Sequence, residues 1–241
     1  LHFGLEHPVR ILHFTDIHLS LADEVDGEAL MKHAAARREA FFRGGAYPER
    51  DPIGYLEEAM EYSKNFDATV ITGDMFDFMS HANFQVARKL LAGRDYMFCA
   101  GNHEFCPMVG IPDSFERKEK KFAEVQRLFR GNMVFESRIV GGVNVITMDN
   151  SYYTWTEAQV EQLKGEVAKG LPCIVFCHSP LTCGHMDHNP PHKDLHASDE
   201  VVAITRKVNK YIAEEPAIKA VFTGHYHTTA TETLPGGKTG Y

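Results

Sequence analysis

The sequence lacks the features of a membrane-inserted or secreted protein. It contains no uninterrupted apolar run of about 18 residues, the length at which a transmembrane helix is predicted. The start, residues 1–8, shows no basic segment followed by an apolar core, so we expect no signal peptide and a cytoplasmic location. An initial Met is also missing, so we expect the natural chain to begin further upstream.

Positive charge is also scarce. The net charge is −8, and no block of cations stands out beyond Arg117-Lys118 with Lys120-Lys121, which we interpret as a solvated helix face. An acidic chain without a basic stripe argues against a general nucleic-acid binder. A local metal centre would still attract phosphate, so the net charge leaves an anionic substrate open.

Cysteine is sparse and odd in number, with five residues, whereas there are 14 histidines. Cys99, Cys173 and Cys177 lie in apolar strand-like runs, where a free thiol behaves as a small hydrophobe. This usage favours a reducing compartment and argues against a cysteine-based zinc site. Histidine is therefore the residue type whose positions carry most information.

The hydrophobic pattern alternates between short β-rich runs and helical periods, which predicts one α/β domain over residues 1–241. Two helix starts stand out, Asp51-Pro52 and the capping box at Thr156. The predicted strands cover residues 9–15, 68–72, 96–100, 133–140, 143–148, 173–177, 218–223 and 228–234. The clearer predicted helices cover residues 82–92, 114–130 and 198–215.

Five predicted strands end in side chains that bind metals or handle protons. These residues are Asp16 and His18, Asp74 and Asp77, Asn102 and His103, His178, and His225 and His227. A single such residue is usually structural, because Asp often caps turns and a lone His is often satisfied in the core. Five together predict one crevice at the carboxyl ends of the strands. Carboxylates and imidazoles crowded there would be costly without a cation.

Local spacing adds detail to two of these strand ends. In an extended chain, residues two apart point to the same side, so Asp16 and His18 are expected to reach one point together. In Gly101-Asn102-His103-Glu104, we expect Gly101 to permit a turn, while Glu104 supports the site from behind or starts a helix.

The series D-x-H, G-D-x-x-D, G-N-H-E, H and G-H-x-H, over positions 16 to 227, resembles the calcineurin-like metallophosphoesterases. The resemblance implies a four-layer α/β/β/α sandwich of two mixed β-sheets. It also implies two divalent or trivalent metal ions. One would be held by Asp16, His18 and His227 and the other by Asn102, His178 and His225, with Asp74 bridging both.

Nitrogen and oxygen ligands without thiolate suit Mn, Fe or Zn rather than Ca or Mg alone. Two such ions about 4 Å apart can clamp a phosphoryl group. The resemblance implies that a hydroxide held between them attacks phosphorus in line, while His103 assists the leaving group and Asp77 orients His103. Because neighbours on an extended chain point apart, His103 is not expected to share the ion of Asn102.

The predicted function is hydrolysis of a small phosphodiester or phosphomonoester. Phe78 stands where protein serine/threonine phosphatases have Arg, which argues against that branch. A nuclease-type member is an alternative suggested by the blocks D-I-H-L and G-D-M-F-D, although the acidic charge argues against it. A non-catalytic interaction scaffold is the other alternative, and the complete ligand set argues against it.

Two insertions, near residues 21–50 and 182–197, are expected to decide the substrate. The second holds His185, His188, His192 and His196, as lid or substrate contacts or as exposed loop residues. Tyr152 and Tyr153 are expected at the rim of the site or in packing. The chain stops at Tyr241, where members of the family usually have further strands, so we expect a longer natural chain. No oligomeric state is predicted.

Overall fold

The computed structural model describes residues 4–5, 7–44, 51–181, 197–234 and 237–241. These residues form nine strands: β1 Ile11–Phe14, β2 Ala68–Ile71, β3 Met97–Phe98, β4 Phe135–Val140, β5 Val143–Met148, β6 Cys173–Phe176, β7 Ile218–Phe222, β8 Glu232–Thr233 and β9 Thr239–Gly240. They also form six α-helices: α1 Glu28–Arg43, α2 Pro52–Tyr62, α3 His81–Leu91, α4 Phe115–Gln126, α5 Glu157–Val167 and α6 Asp199–Glu214. The His-rich insertion lies almost wholly outside the described residues.

The first sheet has the order β1-β2-β3, and all its described strands are parallel. Ile11 pairs with Ala68 and Phe14 with Ile71, so β1 and β2 end at the same level. Helices α2, α3 and α4 cover one face through apolar residues such as Leu56, Phe84 and Val125. The register therefore sets the residues that follow β1 and β2 side by side at one edge.

The second sheet is mixed and has the order β4-β5-β6-β7-β9-β8. The predicted hairpin of β4 and β5 is confirmed as an antiparallel pair, and β5, β6 and β7 run parallel. Helices α5 and α6 cover its outer face through residues such as Leu163 and Ile212. The predicted strand at 228–234 is wrong in extent, because only Glu232–Thr233 pairs and the preceding residues line an open cavity.

The two sheets pack face to face. Val70 and Met97 of the first sheet join Val145, Ile174 and Ala220 of the second in one buried cluster. With helices on both outer faces, the layers run helix, sheet, sheet, helix. The α/β sandwich is thus confirmed, and its mixed strand pairing lies in the second sheet.

Both predicted helix starts are confirmed. Asp51 accepts a hydrogen bond from the Gly54 amide at the start of α2, and Thr156 forms a full capping box with Gln159. Helix α1 lies inside the predicted first insertion and has no side-chain cap. Among the described residues, no helix combines the length and apolar character needed to cross a bilayer.

The cation cluster on α4 is only partly a solvated face. Lys120 is exposed and pairs with Glu116, as expected. Lys118 instead turns inward, where it contacts the Asp149 carboxylate at 2.7 Å and the Ser151 hydroxyl at 2.8 Å. The cluster therefore divides between surface pairing and core support.

The four described cysteines are buried and unpaired.

Candidate metal centre

The strand ends that carry the predicted ligands meet at one edge where the two sheets come together. The Asp16 amide donates to the Gly73 carbonyl at 3.1 Å, which links the ends of β1 and β2. The Gly224 amide donates to the His178 carbonyl at 2.8 Å, which links the ends of β6 and β7. The His225 amide donates to the Asp16 carboxylate at 2.9 Å and so joins the two sheets.

Among the described residues, three groups of side chains could each hold a metal ion, and two of these groups share Asp74. One group is Asp16, His18, Asp74 and His227, and the other is Asp74, His178 and His225. Within each group the available ligand atoms lie within 4.8 Å of one another. The structure thus brings the predicted ligands of both groups together at Asp74. The third group is His18, Asp77 and His103, so His103 lies close to one predicted ligand.

Two pairs of imidazole nitrogens lie unusually close. Nε2 of His18 is 2.9 Å from Nε2 of His227, and Nε2 of His178 is 3.1 Å from Nδ1 of His225. Two ligands bonded to one ion at about 2.1 Å are separated by about 3 Å when they are adjacent in its coordination shell. Each pair is therefore spaced as two ligands of a single ion.

Asn102 supplies an independent test of fit. Its Oδ1 atom is buried and has no hydrogen-bond partner among the described residues. Its amide group bonds the Asp113 carboxylate, whose pKa is raised by burial and partly lowered by Asn102. An orphaned buried acceptor is costly unless something binds it. A metal ion beside His178 and His225 would do so.

Strained backbone marks the same residues. Among the described residues, six that are not glycine have φ in the left-handed region, and five of them are predicted ligands: Asp16, His18, Asp74, His225 and His227. Each such conformation costs roughly 1–3 kcal/mol and persists where the surrounding structure enforces it. Asp16 and His18 do converge, but the extended-chain reason for it is wrong, because their φ angles are 56° and 50°.

Glycines in the motifs allow close approach. A Cβ at Gly73 would lie 2.0 Å from the Gly101 amide nitrogen, and one at Gly101 would lie 2.1 Å from Asp74 Oδ1. Gly73 also has a φ of 79°, which favours glycine, whereas the φ of Gly101 is outside that region. The predicted turn therefore does not explain why residue 101 is a glycine. Glycine is needed there because the backbone packs against Asp74.

The charges of the site favour cations. Burial lowers the pKa of His18, but hydrogen bonds to Asp16 and Asp77 outweigh it and raise that pKa to about 10. In the same way, Asp74 raises the pKa of buried His178 to about 9. Burial would raise the pKa of Asp74, yet the nearby imidazoles hold it below its usual range. Without metal ions, protonated His18 and His178 thus balance the charge of the nearby carboxylates, a role that metal ions would otherwise fill.

Glu104 ties two motifs together. Its fully buried carboxylate accepts hydrogen bonds from the amides of Gly101 at 2.6 Å, Asp74 at 2.8 Å and Met75 at 2.8 Å. Burial and the nearby Asp74 raise its pKa to about 7. The expected supporting role behind the site thus has a definite geometry, since Glu104 holds the backbone that carries Asp74.

His103 follows Asn102 in a helical turn, so the extended-chain reason for separating their side chains is wrong. Residues His103–Phe105 form a 3-10 turn that starts the change of direction. The His103 amide donates to Asp74 Oδ1 at 2.9 Å, and its Nδ1 lies 2.7 Å from the Asp77 carbonyl oxygen. The Asp77 carboxylate is farther away, at 3.7 Å. Asp77 therefore orients His103 through its backbone rather than through the predicted carboxylate contact.

The Asp77 carboxylate serves other partners. It contacts Nδ1 of His18 at 3.1 Å and accepts from the Ser20 hydroxyl at 3.1 Å. It also accepts two hydrogen bonds from Arg37 of α1. Sequence reasoning missed Arg37, because it lies in no motif and only its place on a charged helix was visible.

Other predicted residues are placed as follows. Tyr152 is fully buried in the core between the first sheet and its helices, so it serves packing. Tyr153 packs edge-on against His225, with ring centroids 5.1 Å apart. Phe78 is fully buried in a cluster with Ala34 and Cys106. His185, His188, His192 and His196 lie outside the described residues.

A cavity of about 610 Å³ opens beside the first ligand group. Asp16, His18 and His227 form its polar end, and Phe41 of α1 and Tyr226 contribute aromatic walls. The cavity gives a small molecule access to the ligands of that group.

Comparisons with known proteins find one matching family and similar folds. The model of a family described as calcineurin-like phosphoesterase matches residues 9–229. No curated protein sequence matches the chain. A purple acid phosphatase from yellow lupin (Lupinus luteus) seeds is similar in fold, with a TM-score of 0.54 and 12% identity over 96% of this chain and 43% of that chain.

A dimetal phosphatase from Danio rerio is also similar, with a TM-score of 0.53 and 11% identity over 96% of this chain and 86% of that chain. At these identities the likeness concerns the fold alone. The chain spans less than half the length of the lupin enzyme.

Proposed function

The chain belongs to the calcineurin-like phosphoesterase family, and we propose that it hydrolyses a small phosphodiester or phosphomonoester at a two-metal centre. The observation that carries this proposal is the pair of ligand groups that share Asp74. A carboxylate has two oxygens and can serve two ions at once, which an imidazole does not do. Both groups also lie at the edge where the strands of the two sheets end.

The residues fit two cations. Asp16, His18 and His227 would hold one, Asn102, His178 and His225 the other, and Asp74 both. When bound, the ions supply Lewis-acid stabilisation of phosphoryl oxygens and lower the pKa of a coordinated water. Imidazole, carboxylate and amide donors without thiolate favour Mn, Fe or Zn.

His103 is proposed to protonate the leaving oxygen. Its Nδ1 lies 2.7 Å from the Asp77 carbonyl, which accepts but cannot donate, so Nδ1 keeps its proton. Nε2 is then the atom that gives up a proton and takes one back. The hydrogen bond from the His103 amide to Asp74 fixes the distance between this acid and the bridging carboxylate.

The test is hydrolysis by the purified chain reconstituted with Mn, Fe or Zn. Bis-aryl and mono-aryl phosphates, cyclic nucleotides and single-stranded DNA form the substrate set. We expect turnover of at least one small ester and little action on DNA. Cleavage of DNA alone would favour the nuclease-type alternative, and no hydrolysis with any of the metals would refute the proposed activity.

A further inference from the structure

Helix α1 delivers a cation to a buried carboxylate beside the metal centre. Arg37 Nε lies 2.6 Å from Asp77 Oδ2, and Arg37 Nη2 lies 2.9 Å from Asp77 Oδ1. The Asp77 side chain is fully buried, and that of Arg37 is 27% exposed. Two parallel, charge-assisted hydrogen bonds hold both the position and the plane of the carboxylate.

The same carboxylate holds a metal ligand. Asp77 Oδ1 lies 3.1 Å from Nδ1 of His18, on the ring edge opposite the Nε2 atom that faces His227. A carboxylate on one ring nitrogen fixes which nitrogen carries the proton and how the ring is turned. Arg37 therefore contacts Asp77, and Asp77 in turn contacts His18.

We infer that Arg37 is a positioning residue of the metal centre, acting through Asp77 to fix the ring orientation and tautomer of His18. This inference rests on the two-ion centre of the proposed function. Without the guanidinium, the buried Asp77 carboxylate would lose two charge-assisted hydrogen bonds, a costly state that is relieved by rearranging. Such a rearrangement would loosen His18.

Phe41 reinforces the arrangement from the next turn of α1. Its ring lies 4.7 Å from the Arg37 guanidinium carbon and 5.8 Å from the His18 ring centre. The aromatic ring thus contacts both ends of the series Arg37, Asp77 and His18. A helix of the predicted first insertion therefore helps to complete the metal centre.

The test measures Mn²⁺ binding to the full chain by calorimetry, without substrate. Arg37→Gln should weaken binding about 10–100-fold for the ion held by His18. The control Arg38→Gln changes an exposed residue of the same helix and should leave binding unchanged. Arg37→Lys should give an intermediate loss, because an ammonium keeps the charge but not the two-pronged contact. Native binding by Arg37→Gln, or an equal loss in Arg38→Gln, would overturn the inference.

A double-mutant cycle separates positioning from general destabilisation. In an Asp77→Asn background, Arg37→Gln should weaken Mn²⁺ binding no further, because the two residues act in series. Additive losses would overturn the inference. If Arg37→Gln does not fold, Arg37→Lys carries the test, and native binding in it would count against Arg37.

Failure of the proposed function would look different. Absence of hydrolysis by the native chain, with Mn²⁺ binding weakened by Arg37→Gln, would leave the inference standing. Native hydrolysis together with native Mn²⁺ binding in Arg37→Gln would overturn the inference alone.

Discussion

The two halves of the metal centre differ in depth. In the half that contains His178, this side chain is fully buried, and the shared Asp74 is 2% exposed. In the other half the side chain of His227 is 50% exposed. Among the described residues, the cavity is lined by Asp16, His18 and His227, whereas His178, His225 and Asn102 do not border it.

The halves are also held differently. Nδ1 of His178 lies 2.7 Å from the Thr72 carbonyl, so backbone at the end of β2 sets its ring. His18 depends on the side chains of Asp77 and Arg37 for the same purpose. We conclude that the buried half is shaped by the sheets themselves, and the open half by additions to them. The buried half should therefore keep its ion longer, while the open half faces the cavity.

Asp74→Asn should have the largest effect, because it removes the carboxylate ligand that both halves share. An amide contributes no negative charge and one ligand oxygen, so we expect fewer than two ions bound per chain and activity at background. Elemental analysis after dialysis measures the stoichiometry. The exposed Asp67→Asn is the matched control. Two retained ions would show that Asp74 does not bridge.

His103→Ala should lower turnover about 10²–10⁴-fold, the usual contribution of a general acid. His103 groups with His18 and Asp77, not with Asp74, and its Nδ1 already faces the Asp77 carbonyl, so metal content should stay near that of the native chain. Steady-state kinetics with parallel metal analysis measures both. Loss of metal in this variant would show that His103 had been wrongly excluded from the ligands.

A pair of histidine substitutions compares the halves directly. His178→Ala should release its ion more completely than His227→Ala, because His227 borders the open cavity, where water can replace the lost ligand, and His178 does not. Metal retained after exposure to a competing chelator gives the order. If the two variants retained equal amounts of metal, the difference in burial would not control how firmly the ions are held.

The smallest effect concerns pH. The raised pKa values of His18 and His178 mean that both rings hold protons in the metal-free chain up to about pH 10 and 9, respectively. A metal ion must displace these protons, so its apparent affinity should rise with pH, about tenfold per unit for each proton displaced. Calorimetry in buffers of different ionisation enthalpy counts the protons released.

The sign for stability is opposite. In the metal-free chain the two raised pKa values contribute stability that is fully present below the unfolded value of about 6.5. That contribution is lost as pH rises through about 9 and 10. Thermal unfolding of the metal-free chain should therefore show it more stable at pH 6 than an alkaline comparison at about pH 10. A metal affinity independent of pH would argue against both statements.

Local signals determined much of this protein. Each ligand stands within a few residues of a strand end, so a short stretch of sequence reveals both the residue type and its place in the sheet. The caps at Asp51 and Thr156 are local for the same reason, since a capping side chain bonds amides two or three residues away. The family and the sandwich follow from the order of these local features.

The contacts that orient the ligands are visible only in the tertiary structure. Arg37 and Asp77 are 40 residues apart, and no periodicity of α1 states which of its side chains reaches a buried carboxylate. The left-handed backbone at the ligands and the close packing of Gly101 on Asp74 are likewise imposed by neighbouring strands. The reason is physical: ligand identity is a property of one residue, whereas orientation, burial and charge balance arise from contacts between distant parts of the chain.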